Sequence, residues 1–565
     1  MISSIRDNLS TSINTKIISL REYAYSTLTS VRNKIIESSK VKEGMDNFED
    51  INENNINTIS NKDLLLSLRQ NTDINLTILE YLEGEDYANT GRSIFEHNAE
   101  QMQLYLSTVF EKAAKTLGDA PCKYTVIGLG SMALKQITPY SDIEFAILTE
   151  NDSYKDNPNQ KVSEYFKNLS HLVHFYVICL GETIITTSKY SIDMSDLVKK
   201  AVNFDIGGKT SLGRIDDDKP YDLIQTVDGM MKYVKNVEKR TEHVDKNLHA
   251  ILETVCYAYG DEGLLNTYQG KLKDFMGEKS KEHPELSNCQ SRALQSLVEG
   301  VTEIDYSGTN KDKIIEGNLI QFHSHLGDKS GKLFDVKQEI YRLPDRFIYN
   351  FGKLFNVRAD SGWDIIEQLK EKDVINADGA TSLKVALTYA TTLRAKVYHH
   401  YECQREVVSP LIQNERDISD GKKGIFTFES KDMESDGHLF QFYYSMLPFR
   451  EKLSEYCELY KSTEFQHREK YFSEESFNQN DDFTVATIYN RLMNWNKSLE
   501  YYLKAWENTS DEQPFHGASS LAWVGRTYRE LGDYEKALDY QKQSLNMWKK
   551  LLGVEHNYVA SGLNN

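Results

Sequence analysis

Positive charge is in short supply in this sequence: 66 Lys and Arg stand against 85 Asp and Glu, a formal balance of −19. Proteins that coat a nucleic-acid duplex do so by neutralising phosphates with basic side chains, so this balance argues against that class. It leaves room for a nucleotide or an RNA end held in a local basic cleft. Cysteine is scarce too, with six residues at 122, 179, 256, 289, 403 and 457. None forms a Cys-x-x-Cys pair and none falls at a zinc-ligand spacing, so they read as reduced thiols. No apolar run approaches the roughly 18 residues of a spanning helix. The start, MISSIRDNLSTSINTKIISLREY, lacks the compact apolar core of a secretory signal. These absences lead us to expect a soluble cytoplasmic protein that makes no use of a membrane, with an exported effector as the other possibility.

What is present is a long chain of 565 residues, enough for three or four domains at about 150 residues each. Residues 1–41 carry Ile13, Ile17, Leu20 and Ala24 at helical spacing. Residues 42–62 are acidic, rich in Asn and poor in apolar side chains, which predicts a linker. The helical period returns over 63–119. At Lys123 the texture changes. KYTVIGLG, SDIEFAILTE, HLVHFYVICL and KAVNFDIGG each read as a short strand, with helix-like stretches such as VSEYFKNLS between the later ones. That alternation predicts an α/β sheet over 120–220. From 221 to 465 the pattern is helical throughout and predicts a bundle.

Residues 470–565 repeat themselves. Ala486, Tyr489, Ser498 and Ala505 recur 39 residues later as Gly525, Tyr528, Ala537 and Ser544, and Leu521 recurs 42 residues later as Leu563. Small residues fall where paired helices would touch, Tyr where a ring would fill the groove, and Gly532-Asp533-Tyr534 at the turn. This register resembles tetratricopeptide repeats, and WKKLLGVEHNYVASGLNN is similar to the junction of the longer repeats of kinesin light chains. The resemblance implies an α-solenoid that binds a protein partner. The third unit is truncated, so the sequence is expected to be a piece of a longer protein.

The chemistry-bearing stretch is Gly130-Ser131, then ten residues, then Asp142-Ile143-Glu144 running into Phe-Ala-Ile-Leu. On a strand, residues two apart share a face, so Asp142 and Glu144 present two carboxylates side by side while Ile143 faces the core. Acids held that close repel unless a cation sits between them. Such hard oxygen donors suit Mg²⁺ or Mn²⁺, and divalent metals are how phosphoryl and nucleotidyl transfer is commonly stabilised. The Gly-Ser turn before a helix start lets backbone N–H groups and a hydroxyl approach a triphosphate.

GSMALKQITPYSDIEFAIL resembles the signature of polymerase β-like nucleotidyltransferases, most of all the catalytic domain of the uridylyltransferases that modify the PII signalling protein and of their uncharacterised bacterial relatives. The resemblance covers about residues 120–220 and implies the fold: a polymerase β-like sheet, followed here by a helical bundle and a solenoid. It implies Mg²⁺ (or Mn²⁺) as cofactor and an NTP as substrate, with Gly130 and Ser131 on the triphosphate and Ser141 in the Pro-x-Ser-Asp run that enters the metal strand. It also implies a third carboxylate, for which Asp205 in NFDIGGKTSLGR is the candidate, with Lys209 and Arg214 near enough in sequence to reach phosphates. This acid would hold one metal and take the proton of the attacking hydroxyl. Asp193 and Asp196 are rivals, although IDMSDLVKK reads as a capped helix start. The sequence departs from the family at Ala133-Leu134-Lys135-Gln136, where many relatives carry Gly-Arg-x-Glu; Lys135 is the substitute cation. No His-Asp phosphohydrolase motif follows, and His399-His400 lies in a helical pattern. His171 and His174 read as structural. The expectation is therefore transfer of a nucleoside monophosphate from an NTP to an acceptor hydroxyl. A protein acceptor comes first because of the repeats, and an RNA or small-molecule acceptor second. The alternative is a scaffold that senses a nucleotide without turning it over and recruits partners through its repeats.

Overall fold

The structure is a computed structural model that describes residues 58–150, 160–183, 200–205, 223–235, 248–302, 334–408, 437–460, 470–509 and 514–554, together with 556 and 559. The helices expected in 1–41, the rival acids Asp193 and Asp196, the basic pair Lys209 and Arg214, and the end of the third repeat lie outside these residues. The chain divides into two compact units. One comprises residues up to Asn75, Ser93–Glu278 and Tyr401–Gln404; the other comprises Leu76–Arg92, Lys279–His400 and everything from Arg405.

The elements begin with helix α1 (Thr58–Leu79), which starts within the stretch read as linker, and α2 (Gly84–Leu117). Next come β1 (Tyr124–Gly128), α3 (Gly130–Ala133), β2 (Phe145–Thr149) and α4 (Gln160–Ile178). Then follow β3 (Ile224–Thr226), α5 (Val227–Lys235), α6 (Leu248–Ile251), β4 (Cys256–Gly260) and α7 (Glu262–Gly277). The sheet order is β3-β2-β1-β4. Strand β1 is antiparallel to both β2 and β4, and β2 is parallel to β3. Every residue of β1 and β2 is buried, as expected of central strands covered on both faces. One face packs Val126, Phe145 and Ile147 against α1, α2 and α4 through Leu68, Leu106, Phe110, Phe166 and Val173. Phe110 and Phe204 each meet the Phe145 ring in an edge-on arrangement at 5.0 Å. Helix α7 packs on β1 and β2, with Asp261 as its N-cap accepting from the Leu264 N–H.

Three strand readings change. HLVHFYVICL is the second half of helix α4, not a strand. Residues 172–177 of that half are buried without a break, which hides the helical period behind a continuous apolar run rich in aromatic and branched side chains. Conversely, DLIQT and CYAYG, read as helical, supply strands β3 and β4. Both are short and flank the helical segments α5 and α7, and β4 is an edge strand with Tyr257 partly in solvent, so neither alternates cleanly. The sheet thus draws on residues beyond 220. The predicted strand KAVNFDIGG contributes one parallel bridge, Ile143 to Phe204.

The second unit is helical apart from the two-residue strands β5 (Phe334–Asp335) and β6 (Val407–Val408), which pair antiparallel. Helix α8 (Asn288–Thr302) packs against α9 (Arg342–Leu354), which a π-turn (Val336–Tyr341) leads into; α10 (Gly362–Glu371), α11 (Ala377–Tyr401) and α12 (Gly437–Leu459) follow. Phe351, Phe355, Phe449, Phe472 and Tyr456 pack mainly edge-to-face as its aromatic core. Two of its buried cations have carboxylate partners. Lys384, 3% exposed, is held by Glu85 and Glu367, and Arg491 lies on Glu339 with both oxygens within 2.9 Å.

The chain ends in two helical hairpins, α13 (Asp482–Arg491) with α14 (Trp495–Glu507), and α15 (Pro514–Glu530) with α16 (Tyr534–Leu552). The internal period is visible in contacts as well as letters. Tyr489 stacks on Tyr501 at 5.5 Å, and 39 residues on Tyr528 stacks on Tyr540 at 5.5 Å. Asn494 and Asp533 cap the second helix of each hairpin through the N–H of Lys497 and of Lys536. The turn residue before each cap has a positive φ: 57° at Met493 and 84° at Gly532.

Candidate functional site

Ile143 is fully buried in the aromatic side of the sheet, and the residues on either side of it, Asp142 and Glu144, are half-buried. Both acids lie just before β2, on either side of the single bridge at Ile143, and continuing the alternation of the strand through that bridge puts them on the face opposite the Phe145–Phe204 cluster. The partner segment repeats the arrangement. Ile143 N–H donates to the Asn203 carbonyl at 2.7 Å, and Asp205 N–H donates to the Ile143 carbonyl at 3.2 Å. Phe204 is buried beside Ile143, so in this parallel pairing Asp205 shares the face of Asp142 and Glu144. The negative charge of Asp205 is close enough to bear on the Asp142 carboxyl.

The Gly-Ser turn reaches the same place. Leu129 N–H donates to the Glu144 carbonyl at 2.9 Å, which carries the chain from β1 directly past the Glu144 side chain. Gly130 has φ +56°, and a Cβ added there would fall 2.2 Å from Glu144 Oε2. Only glycine permits both this conformation and this approach. The helix expected after the turn is a single turn, α3, so it offers Ser131 and a few backbone N–H groups rather than an extended dipole. Lys135 ends it, half-buried and with φ 55°. Ser141 is 1% exposed, and its Oγ is engaged with Thr138 Oγ1 at 2.9 Å and the Thr138 N–H at 3.1 Å, so the hydroxyl serves the turn that delivers Asp142.

Asp142 has a cation partner within the chain. Lys200 Nζ donates to Asp142 Oδ2 at 3.2 Å, while Oδ1 is buried with no donor in hydrogen-bonding geometry. Burial lifts the Asp142 carboxyl above the usual range; Lys200 and Gln404 oppose this and Asp205 adds to it. Burial also raises the neighbouring Tyr140 phenol, to about 12.

Several residues that brace the site were invisible in the sequence. Arg69 of α1 forms a bidentate pair with Glu182 at 2.7 and 2.8 Å, donates to the Pro139 carbonyl at 3.0 Å, and lies over the Tyr140 ring at 4.1 Å. Glu182 in turn accepts from the Val202 N–H at 3.1 Å. One guanidinium thus joins the Pro139-Tyr140 turn leading to Asp142 with the segment leading to Asp205. Gln404 N–H donates to the Lys200 carbonyl at 2.7 Å and fixes the backbone of that lysine. Sequence spacing held no sign of Arg69, which is 70 residues from its acceptor at Pro139. Lys200 carried a weak one, a lysine shortly before the candidate acid. The helical His174 is buried beside Phe204, in keeping with a structural histidine.

In kind, these donors fit a divalent metal: hard carboxylate oxygens on one face, one of them buried and without a donor, beside a glycine turn. In disposition they are not drawn together, for among the described residues no three His, Cys, Asp or Glu side chains gather closely enough to hold an ion. Among the described residues, too, no helix is long and apolar enough to cross a membrane.

Comparison with known proteins defines one part of the chain by class. Residues 482–550 match the tetratricopeptide repeat family, in agreement with the hairpins described above and their 39-residue recurrence. Repeats of this class give the chain a capacity for binding protein partners. No curated protein matches the chain.

Proposed function

We propose that the first unit is a polymerase β-like nucleotidyltransferase, moving a nucleoside monophosphate from an NTP to an acceptor hydroxyl, and that the repeats recruit the acceptor protein for uridylylation or adenylylation. The observation that carries this reading is the shared face of Asp142, Glu144 and Asp205 with Gly130 pressed against the Glu144 carboxylate. Asp142, Glu144 and Asp205 would hold Mg²⁺ or Mn²⁺, which when bound supplies charge stabilisation at the reacting phosphate. Gly130 and Ser131 would admit the triphosphate, with Lys135, Lys209 and Arg214 as cations towards it. The buried turn at Thr138–Ser141 would keep Asp142 in place. An RNA acceptor is the second choice, one that the balance of −19 restricts to a local contact. The test is incubation with NTPs labelled at the α-phosphate, in Mg²⁺ and in Mn²⁺. Label on a protein or RNA that is lost in the Asp142→Ala, Glu144→Ala double variant supports the enzyme.

A second reading has its own observation in favour. Lys200 pairs with one oxygen of Asp142 without a metal, and where the family carries Gly-Arg-x-Glu this chain has Ala133-Leu134-Lys135-Gln136. Both fit a non-catalytic scaffold that senses a nucleotide and recruits partners through its repeats. Nucleotide binding with no label transfer in either metal would favour that scaffold.

A further inference from the structure

The two hairpins of the repeats recur at 39 residues, so each position in one has an equivalent in the other. In the first, Leu492 is buried, Trp495 and Leu499 are half-buried, and Leu499 packs with Trp523 and Val524 of α15. Their equivalents Leu531, Tyr534 and Leu538 are 38%, 71% and 57% exposed. An apolar side that the first hairpin closes against the second therefore stands open at the start of α16. Farther along α16, Leu545 and Leu552 pack with Trp548 and Val559, so the open stretch is confined to the first half of the helix. On its own outer side the first hairpin is already covered: Phe440 of α12 meets Tyr489 edge-on at 5.2 Å, and Glu339 holds Arg491.

We propose that this open side of α16 pairs with the same side of a second copy of the chain, the two helices running antiparallel. Charge selects that occupant. Tyr534, Leu538 and Lys542 follow one another at i, i+4 and i+8, and Glu535 stands three residues before Leu538, so all four share one side of the helix. Glu535 and Lys542 are both exposed. A two-fold axis at Leu538 sets the two Leu538 side chains together and brings Glu535 of each copy opposite Lys542 of the other. The side is thus complementary to itself, as an isologous contact requires. A head-to-tail contact would need the outer side of a first hairpin, which α12 and Glu339 already occupy, so the pairing closes at two copies.

Sedimentation velocity of the full chain over a range of concentrations is the test. The pairing predicts a monomer–dimer equilibrium. Leu538→Glu should stay monomeric where wild type is dimeric, with unchanged circular dichroism because Leu538 lies on the surface. Glu535→Lys and Lys542→Glu should each weaken the dimer about tenfold, since each turns two attractions into repulsions. Carrying both changes in one chain, or mixing the two single variants, should restore it. A wild type that is monomeric up to about 0.1 mM overturns self-pairing and leaves the side to a hairpin of another protein. A dimer indifferent to Leu538→Glu, or a double variant no stronger than either single one, overturns it as well. Assemblies larger than two contradict the closed pairing.

Discussion

Replacing Arg69 by Ala should loosen the whole acidic face without touching an acid. The substitution removes two charge-assisted bonds to Glu182, one bond to the Pro139 carbonyl and the stacking on Tyr140. Arg69 is 12% exposed and Glu182 19%, so the pair is largely desolvated and the orphaned carboxylate cannot simply turn to water. Breaking a buried pair from one side costs about 3–5 kcal/mol, and the lower end applies to these exposures. Loss of the cation–π contact adds about 0.5–1 kcal/mol. The expected loss is therefore about 3–4 kcal/mol within the first unit. Hydrogen exchange of peptides covering 124–149 and 200–205 reads that unit separately, since a chain of this size does not unfold as one step. Arg69→Lys should recover only part, because an ammonium lacks the planar fork that meets both Glu182 oxygens. Adding Glu182→Ala to Arg69→Ala should recover one or two of the lost kilocalories, roughly, by removing the unpaired charge. The reasoning is refuted by an Arg69→Ala loss under about 1 kcal/mol, or by a double variant no better than the single.

Other expectations follow from the same geometry. Arg491→Met should destabilise the second unit by about 3–5 kcal/mol, because it strands Glu339 in a site where the two side chains are only 2% and 9% exposed; Arg491→Met with Glu339→Leu should unfold later than the single variant, and an equal or lower unfolding temperature would contradict this. In the repeats, Tyr489→Ala should cost more than Tyr528→Ala, for Tyr489 is buried and Tyr528 only half so, although both lose an equivalent stack; thermal unfolding that ranks them the other way would tell against it. For Asp142, burial holds the folded carboxyl above its unfolded value. The folded chain therefore binds that proton more tightly. Stability from this group is fullest below about pH 4 and is lost as pH rises through the raised folded value. In metal-free buffer Asp142→Asn should accordingly unfold at a higher temperature than wild type at pH 7.5, with the advantage shrinking as pH falls; a lower temperature at pH 7.5 would sink this reading.

What was legible in the sequence follows from how local each signal is. The reading of Asp142 and Glu144 around a core Ile143 rests on alternation, a property of three adjacent residues, and the structure buries Ile143 between two half-buried acids just before β2. The Gly130 turn is equally local, since its conformation and its closeness to Glu144 both require the absence of a side chain. The repeats were readable because a recurring unit makes its own internal comparison, down to the Tyr pairs. Segments whose burial depends on distant neighbours were misread. Residues 172–177 look like a strand because α4 is buried on nearly every side there. The strands β3 and β4 look helical because they are three and five residues long beside amphipathic helices. Arg69 and Glu182 escaped notice for a related reason: nothing in a window of sequence indicates which arginine will meet which glutamate 113 residues away. The Lys200–Asp142 pair, 58 residues apart, was hidden in the same manner.

The central claim is that acids from two neighbouring strand segments hold a divalent cation beside the Gly130 turn. A crystal structure with Mn²⁺ and a non-hydrolysable NTP, using the anomalous signal of manganese, addresses it directly. The account predicts a manganese peak bonded to carboxylate oxygens of Asp142, Glu144 and Asp205, with the triphosphate against Gly130-Ser131. Manganese and nucleotide bound elsewhere would contradict it.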